Sequence, residues 1–382
     1  MNIANTVLQQ KSSLLEHQIF FNDHPELGYH EFKTSEYIIS KLEKLGVEYE
    51  KGLAGTGILV SIRGENPSGK CILFRTEMDA VSAVDNSGNP LTAHLCGHDA
   101  HMAIMLSLVH ILSHNTSRLQ GTVKVLFQPA EEALGGATAM INSGVLDNPK
   151  VNKIFGIHMW SEFETGKVCV SEGPLFAGGD QFSVMFCGTP GHAAMPQSAV
   201  DVILAGSTFV QNIQSIVSRS LSPLEPGVVS VCQFSGGTAP NTIPKVVKIA
   251  GTARSFSEKT SALFAHKVKH LASTTAELFG ATATVQYRQL VPPLINTKKE
   301  TEITRNAVTS VIPVKDLICE YQSTCVDDFS FYLNQIPGTY FLIGCKGEKY
   351  YPVHNNEFYV TEESMLVGLA VLYRLAKSEL FI

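Results

Sequence analysis

The sequence predicts an α/β fold: a mixed sheet with helices on both faces, interrupted by an inserted ferredoxin-like α+β domain. Three observations lead there. Short β-branched runs alternate with helical patterns through about the first 175 residues. From Asp180 the order changes to β-α-β-β-α-β, the split motif of a ferredoxin-like unit. After Pro292-Pro293 the strand–helix alternation resumes. A chain of 382 residues has room for two domains. The simplest account gives residues 1–178 and 291–382 to one discontinuous domain and 179–290 to the insert.

The elements follow from periodicity. Apolar positions at helical spacing predict helices at 4–21, 31–45, 99–114 and 134–143. Apolar runs of strand length stand at Thr56–Ile62, Cys71–Thr76, Thr122–Phe127 and Lys153–His158. In the insert we expect strand 181–187, helix 199–218, strands 227–234 and 246–254, helix 258–279 and strand 283–289. The remainder reads as helix 300–311, strand 316–321, helix 327–334, strand Thr339–Gly344 and helix 361–378. Gly135-Gly136 reads as a helix start and Gly178-Gly179 as a hinge, since neither has a phosphate-loop context.

Composition excludes several classes. With 44% hydrophobic residues the chain can bury a large core, which rules out wholesale disorder. A net charge of −6 argues against a nucleic-acid partner, whose binders carry a basic field. The N-terminus lacks an apolar signal region and no run approaches 18 apolar residues, so no membrane partner is expected. Eight cysteines without a CxxC fit reduced thiols and a cytoplasmic location. Seven of them read as small apolar core filler, with Cys96 set apart.

Cys96 belongs to the densest reactive cluster, Ala93-His94-Leu95-Cys96-Gly97-His98-Asp99-Ala100-His101. A thiolate beside imidazoles suits a divalent transition metal. The plain alternative is a helix-capping Asp99 with surface histidines. Glu131 and Glu132 follow the strand ending at Phe127, in the run Gln128-Pro129-Ala130-Glu131-Glu132, so one can ligate while its neighbour faces a reacting water. Alone they would read as a solvated acidic loop. His158 ends another apolar strand beside the only tryptophan, and His354 lies in the loop after Thr339–Gly344. Cys96, His98, Glu132, His158 and His354 all fall at or just beyond predicted strand ends, where α/β folds place their sites. Five ligands exceed one tetrahedral zinc but suffice for two metals sharing a bridge. His101, His110 and His114 read as helix-surface or core histidines, His94 as a neighbour behind the ligands, and His24 as structural.

These motifs resemble the M20 metallopeptidase/amidohydrolase family, in its aminoacylase-like branch of hippurate hydrolases, auxin-conjugate hydrolases and N-acetyl-diaminopimelate deacetylases. The resemblance runs from His24-Pro25-Glu26-Leu27-Gly28 and Gly55-Thr56-Gly57 through CGHD, QPAEE and the Gly191–Pro196 stretch. It continues through Ser215–Arg219, Asn241-Thr242-Ile243-Pro244 and Gly251-Thr252-Ala253-Arg254 to His354. It implies hydrolysis of the amide bond of an N-acyl amino acid or related small amide. Two divalent ions (zinc, manganese, cobalt or nickel) would be held by Cys96, His98, Glu132, His158 and His354, with Cys96 bridging. Glu131 would be the general base, and Asp79 would orient a ligating histidine. The insert would be a lid and dimerisation domain, making a homodimer. His192 would approach the scissile carbonyl, and Asn241 and Arg254 would contact substrate.

The chain also departs from the branch. Glu77 stands where aspartate is usual, Asp327 where glutamate is common, and the segment from Ser82 to Cys96 is short. Three other readings compete. One is a dipeptidase or carboxypeptidase with the same metal centre. Another is a catalytically silent binding protein, against which Glu131 beside Glu132 speaks. The last is a hydrolase with Cys96 as nucleophile, although the chain has no GxSxG.

Overall fold

The computed structural model describes Met1–Phe381 apart from Asn86. It contains two compact units: Met1–Gly173 with Ile295–Tyr321 and Asp328–Ile382, and Pro174–Leu294 with Gln322–Asp327. The second unit thus starts ahead of residue 179 and runs past 290. It also takes in 322–327, because Ser323 pairs with Phe176 and exchanges main-chain hydrogen bonds with Leu175 and Ala177.

The first unit is built on an eight-stranded mixed sheet. Its order is Glu48–Leu53, Gly57–Arg63, Gln120–Gln128, Asn66–Glu77, Lys153–Glu164, Gly338–Lys346, Val168–Cys169, Leu317–Ile318. The four strands from Gln120–Gln128 to Gly338–Lys346 run parallel. In the central strand Ile72 and Phe74 enter one apolar cluster, while the alternate residues Leu73 and Arg75 are equally buried. That sheet is covered on both faces, which explains why its strands read as continuous apolar runs. The helices His98–Ser113 and Glu362–Leu380 contribute most of their length to the same cluster.

Several elements depart from expectation. The first helix breaks into Asn5–Leu8 and Lys11–Asp23. The strand expected at 316–321 shrinks to Leu317–Ile318. The edge strand Glu48–Leu53 and the hairpin Val81–Val84/Pro90–Ala93 have largely exposed or half-exposed side chains, so they lack an apolar run to announce them.

The second unit has a four-stranded antiparallel sheet, ordered Gly227–Gly236, Val246–Ser255, Gly178–Cys187, Thr282–Val291. In chain order this is 2-3-1-4, the ferredoxin-like arrangement. Phe182, Val184 and Phe186 face a core shared with Phe209, Phe264 and Val268, while Gln181 and Ser183 are exposed. The expected helix 199–218 ends at Asn212 and resumes as a short turn, Ile216–Ser220. Gly178 and Gly179, expected as a hinge, lie in a strand, paired with Ser255 and Arg254. A Cβ on Gly178 would sit 2.8 Å from Pro293, so packing requires this glycine.

The cysteines are less uniform than expected. Cys71, Cys169 and Cys345 are core, but Cys232, Cys319 and Cys325 are exposed, because their strand and loop positions face outward. All eight are free thiols. Among the described residues no helix is long and apolar enough to cross a membrane.

A candidate metal centre

The first unit brings the five expected ligands together. Cys96, His98 and His158 have ligand atoms within 4.8 Å of one another, and so do Cys96, Glu132 and His354. The two triads share the thiol, as a bridging ligand requires. A third group, His98, Glu131 and Glu132, sets the adjacent acid beside them. Cys96 Sγ lies 3.4 Å from His158 Nε2, and His354 Nε2 lies 3.2 Å from Glu132 Oε1.

Local structure aims each group. Gly97 takes a φ of +85°, a left-handed conformation suited to glycine, and turns the chain so that His98 opens a helix beside Cys96. His98 Nδ1 is 2.8 Å from the main-chain carbonyl of Asp79, and His158 Nδ1 is 2.7 Å from that of Met159. A carbonyl only accepts, so both rings carry their proton on Nδ1 and keep an Nε2 lone pair for the cluster. His354 sits at φ +66° in a loop tied down by its N–H donating to the Leu95 carbonyl at 2.7 Å.

Asp79, expected to orient a ligating histidine, meets His98 through its main-chain carbonyl and not through its side chain. Its Oδ1 is 3.9 Å from His98, whereas Oδ1 and Oδ2 each accept a main-chain N–H at 3.0 Å, from Glu131 and Glu132 respectively. The carboxylate is taken up in fixing the two-acid turn, and the carbonyl of the same residue orients the histidine. Burial pushes the Asp79 carboxyl up to about 7, against the pull of those two N–H groups.

The same turn is held from a second side. Glu31, fully buried, accepts the Ala130 N–H at 2.9 Å and the Thr56 hydroxyl at 2.6 Å. A Cβ on Gly28 would come within 3.0 Å of Ala130. The early motifs around His24–Gly28 and Gly55–Gly57, which carried no role from sequence, thus brace the loop bearing Glu131. Sequence reasoning missed Glu31, an acid at the N-cap of the helix Phe32–Leu45 that nothing local sets apart.

Electrostatics favour a cation. Burial depresses His98 to about 4, so it stays neutral and can ligate. Burial works to raise Glu132, but His354, His98 and Cys96 outweigh it and hold the carboxyl below its ordinary range. His354 is raised, chiefly by Glu132. Glu132 Oε1 is buried without a hydrogen-bond partner of good geometry among the described residues. Thiolate, imidazole and carboxylate around a common point, with two imidazole lone pairs preset, fit a pair of divalent cations. His94 is buried with neither ring nitrogen bonded among the described residues, and burial pushes it down to about 3.

The other expected site residues lie in the second unit. His192 pairs with Thr242 in a short ladder, and the Ala193 N–H donates to the Asn241 carbonyl at 3.0 Å, so His192 and Asn241 are neighbours. His192 Nδ1 accepts the Ala194 N–H at 3.1 Å, which leaves an exposed ring with its proton on Nε2. Arg254 is half-buried against Gly179 and makes no ion pair among the described residues. Of the departures noted from sequence, Asp327 falls in the second unit and Asp85–Asn89 forms the turn of the hairpin, with Asn86 outside the described residues.

Residues 73–378 match Peptidase family M20/M25/M40. The IAA-amino acid hydrolase ILR1-like 4 of Arabidopsis thaliana is 35% identical over 364 residues, 92% of this chain and 82% of that protein. Thermostable carboxypeptidase 1 of Saccharolobus solfataricus is 31% identical over 96% of this chain and 95% of its own length. The crystal structure of the Bacillus subtilis YXEP protein, a dinuclear metal-binding peptidase from the M20 family, superposes with a TM-score of 0.84. Identity there is 27%, over 98% of both chains.

Proposed function

The chain belongs to peptidase family M20/M25/M40, and from that premise we propose that Glu131 drives amide hydrolysis of N-acyl amino acids beside a metal pair held by Cys96, His98, Glu132, His158 and His354. The enzyme is a metal-dependent hydrolase of amide bonds that uses two divalent ions. When bound, such ions lower the pKa of coordinated water and polarise a carbonyl oxygen.

One observation carries the assignment. Glu131 and Glu132 share one turn, yet Glu132 is engaged with His354 while Glu131 is buried next to His98. A site built only to hold metal needs Glu132 and not Glu131. Glu131 takes a proton from the attacking water and returns it to the leaving amine. His192, with its proton on Nε2, donates to the oxygen that gains charge. Arg254, free of carboxylate partners among the described residues, presents a planar fork to the substrate's carboxylate, and Asn241 lies beside His192 as a further contact. Leu27, Tyr29 and Leu134 are exposed on the two loops that meet at Gly28 and Ala130, and they support an apolar group on the substrate.

Replacing Glu131→Gln is expected to lower kcat by about 10²–10⁴-fold with two metals still bound. Turnover near wild type would remove Glu131 from its role. The carboxypeptidase reading draws on the Saccharolobus relative; comparing N-acetyl amino acids with unblocked dipeptides separates the two. The exposed edge strand Gly227–Gly236 supports a homodimer through the inserted domain, tested by light scattering. Eight free thiols support a cytoplasmic location.

A further inference from the structure

One imidazole beside the cluster has no task in this chemistry. His101 is fully buried, three residues along the helix from His98 and on the same face. Glu77, His98 and His101 bring ligand atoms within 4.8 Å of one another. Donor types alone would make this another metal triad. The hydrogen bonds say otherwise. His101 Nδ1 is 3.0 Å from Glu77 Oε2, and its Nε2 is 2.8 Å from the Met159 main-chain nitrogen. A main-chain N–H can only donate, so Nε2 accepts, and the ring proton sits on Nδ1 and is donated to Glu77. No lone pair is left for a cation.

We infer that Glu77 and His101 are a positioning pair that clamps the main chain at Met159 and thereby sets the ligating ring of His158. The inference rests on the reading of His98 and His158 as metal ligands. Met159 is gripped from both sides: its N–H donates to His101, and its carbonyl accepts from His158 Nδ1. The His101 ring also packs edge-on against the His158 ring, with centroids 4.8 Å apart at 66°. Glu77 is itself immobilised. Arg75 pairs with it, the Tyr340 hydroxyl donates to it at 3.3 Å, and Arg75 is tied in turn to Gln128 and Asp328. Every one of these side chains is buried, so no water competes for the bonds. The Glu77 carboxylate bridges the two arms, with one oxygen taken by Arg75 and Tyr340 and the other by His101.

The test is a cobalt(II) titration of the metal-free, full-length protein, read by the absorption of the bound ion. Wild type is expected to take two equivalents. His101→Leu is expected to bind one of them about 10–100-fold more weakly, with altered absorption bands. His101→Gln, whose amide can accept from Met159 and donate to Glu77, is expected to recover affinity to within a few-fold of wild type. Glu77→Asp keeps the charge beside Arg75 but withdraws from His101, and is expected to weaken the same equivalent about tenfold. This variant keeps the question decidable where His101→Leu does not fold. Wild-type affinity and absorption in both His101→Leu and Glu77→Asp would overturn the pair. Equal weakening in His101→Gln and His101→Leu would overturn the hydrogen-bond argument. No cobalt bound by wild type would instead overturn the metal reading itself, and the pair with it.

Discussion

Single residues in this protein act through main-chain groups as well as through side chains. Asp79 shows both: its carboxylate fixes the Glu131–Glu132 turn while its carbonyl orients His98. Residue type in the sequence announces the side-chain role only, so the expectation that Asp79 orients a histidine could not say through which oxygen. A separate residue-scale expectation concerns His17, whose Nδ1 lies 2.9 Å from the Tyr37 hydroxyl. Burial, assisted by Lys41, holds it at about 4 against an ordinary 6.5. The unfolded chain therefore takes a proton that the folded chain refuses. Stability is fully present above pH 6.5 and falls as the pH drops toward 4, by at most about 3 kcal/mol from this group. Urea denaturation of His17→Gln should show a flatter pH dependence than wild type across that window. Identical slopes would contradict the assignment.

At the scale of elements, the parallel strands do the gathering. Gln128 ends one strand, the loop carrying His354 follows Gly338–Lys346, and His158 lies within the strand between them in sheet order, Lys153–Glu164, which runs on past the expected end at His158. The turn after Gln128 is packed tightly enough to be tested. A Cβ on Gly136 would fall 1.7 Å from the Pro129 carbonyl oxygen, and neither main-chain segment can give way without moving Glu131. Gly136→Ala should cost roughly 1–3 kcal/mol in stability and reduce kcat. Full activity at unchanged melting temperature would mean that the turn is not the rigid base proposed for the acids. The continuous apolar strands were legible because parallel sheets bury both faces. The polar edge strand and hairpin were not, because half-exposed strands carry no such run.

For the whole molecule, the expected metal ligands and the expected substrate contacts segregate into units with separate cores. Metal retention and turnover should then separate by mutation. His192→Ala and Arg254→Ala should keep two metals after dialysis while losing hydrolysis, by about 10²–10³-fold for His192 if it serves the developing oxyanion. Glu132→Ala should lose metal as well as activity. Loss of metal in Arg254→Ala would show that the partition fails.

The primary structure by itself determined the α/β class, the split order of the insert and which five side chains to expect around one site, because periodicity and residue chemistry are local properties. It could not assign Glu31, Glu77 or His101. Each of these acts on a partner 24 or more residues away, and only folding brings donor and acceptor within 3 Å. Which histidine of the pair His98 and His101 keeps a free lone pair was decided by hydrogen bonds to Asp79, Glu77 and Met159. A spacing in the chain cannot hold that information, since a ring nitrogen is a ligand only where the tertiary structure leaves its electrons unclaimed.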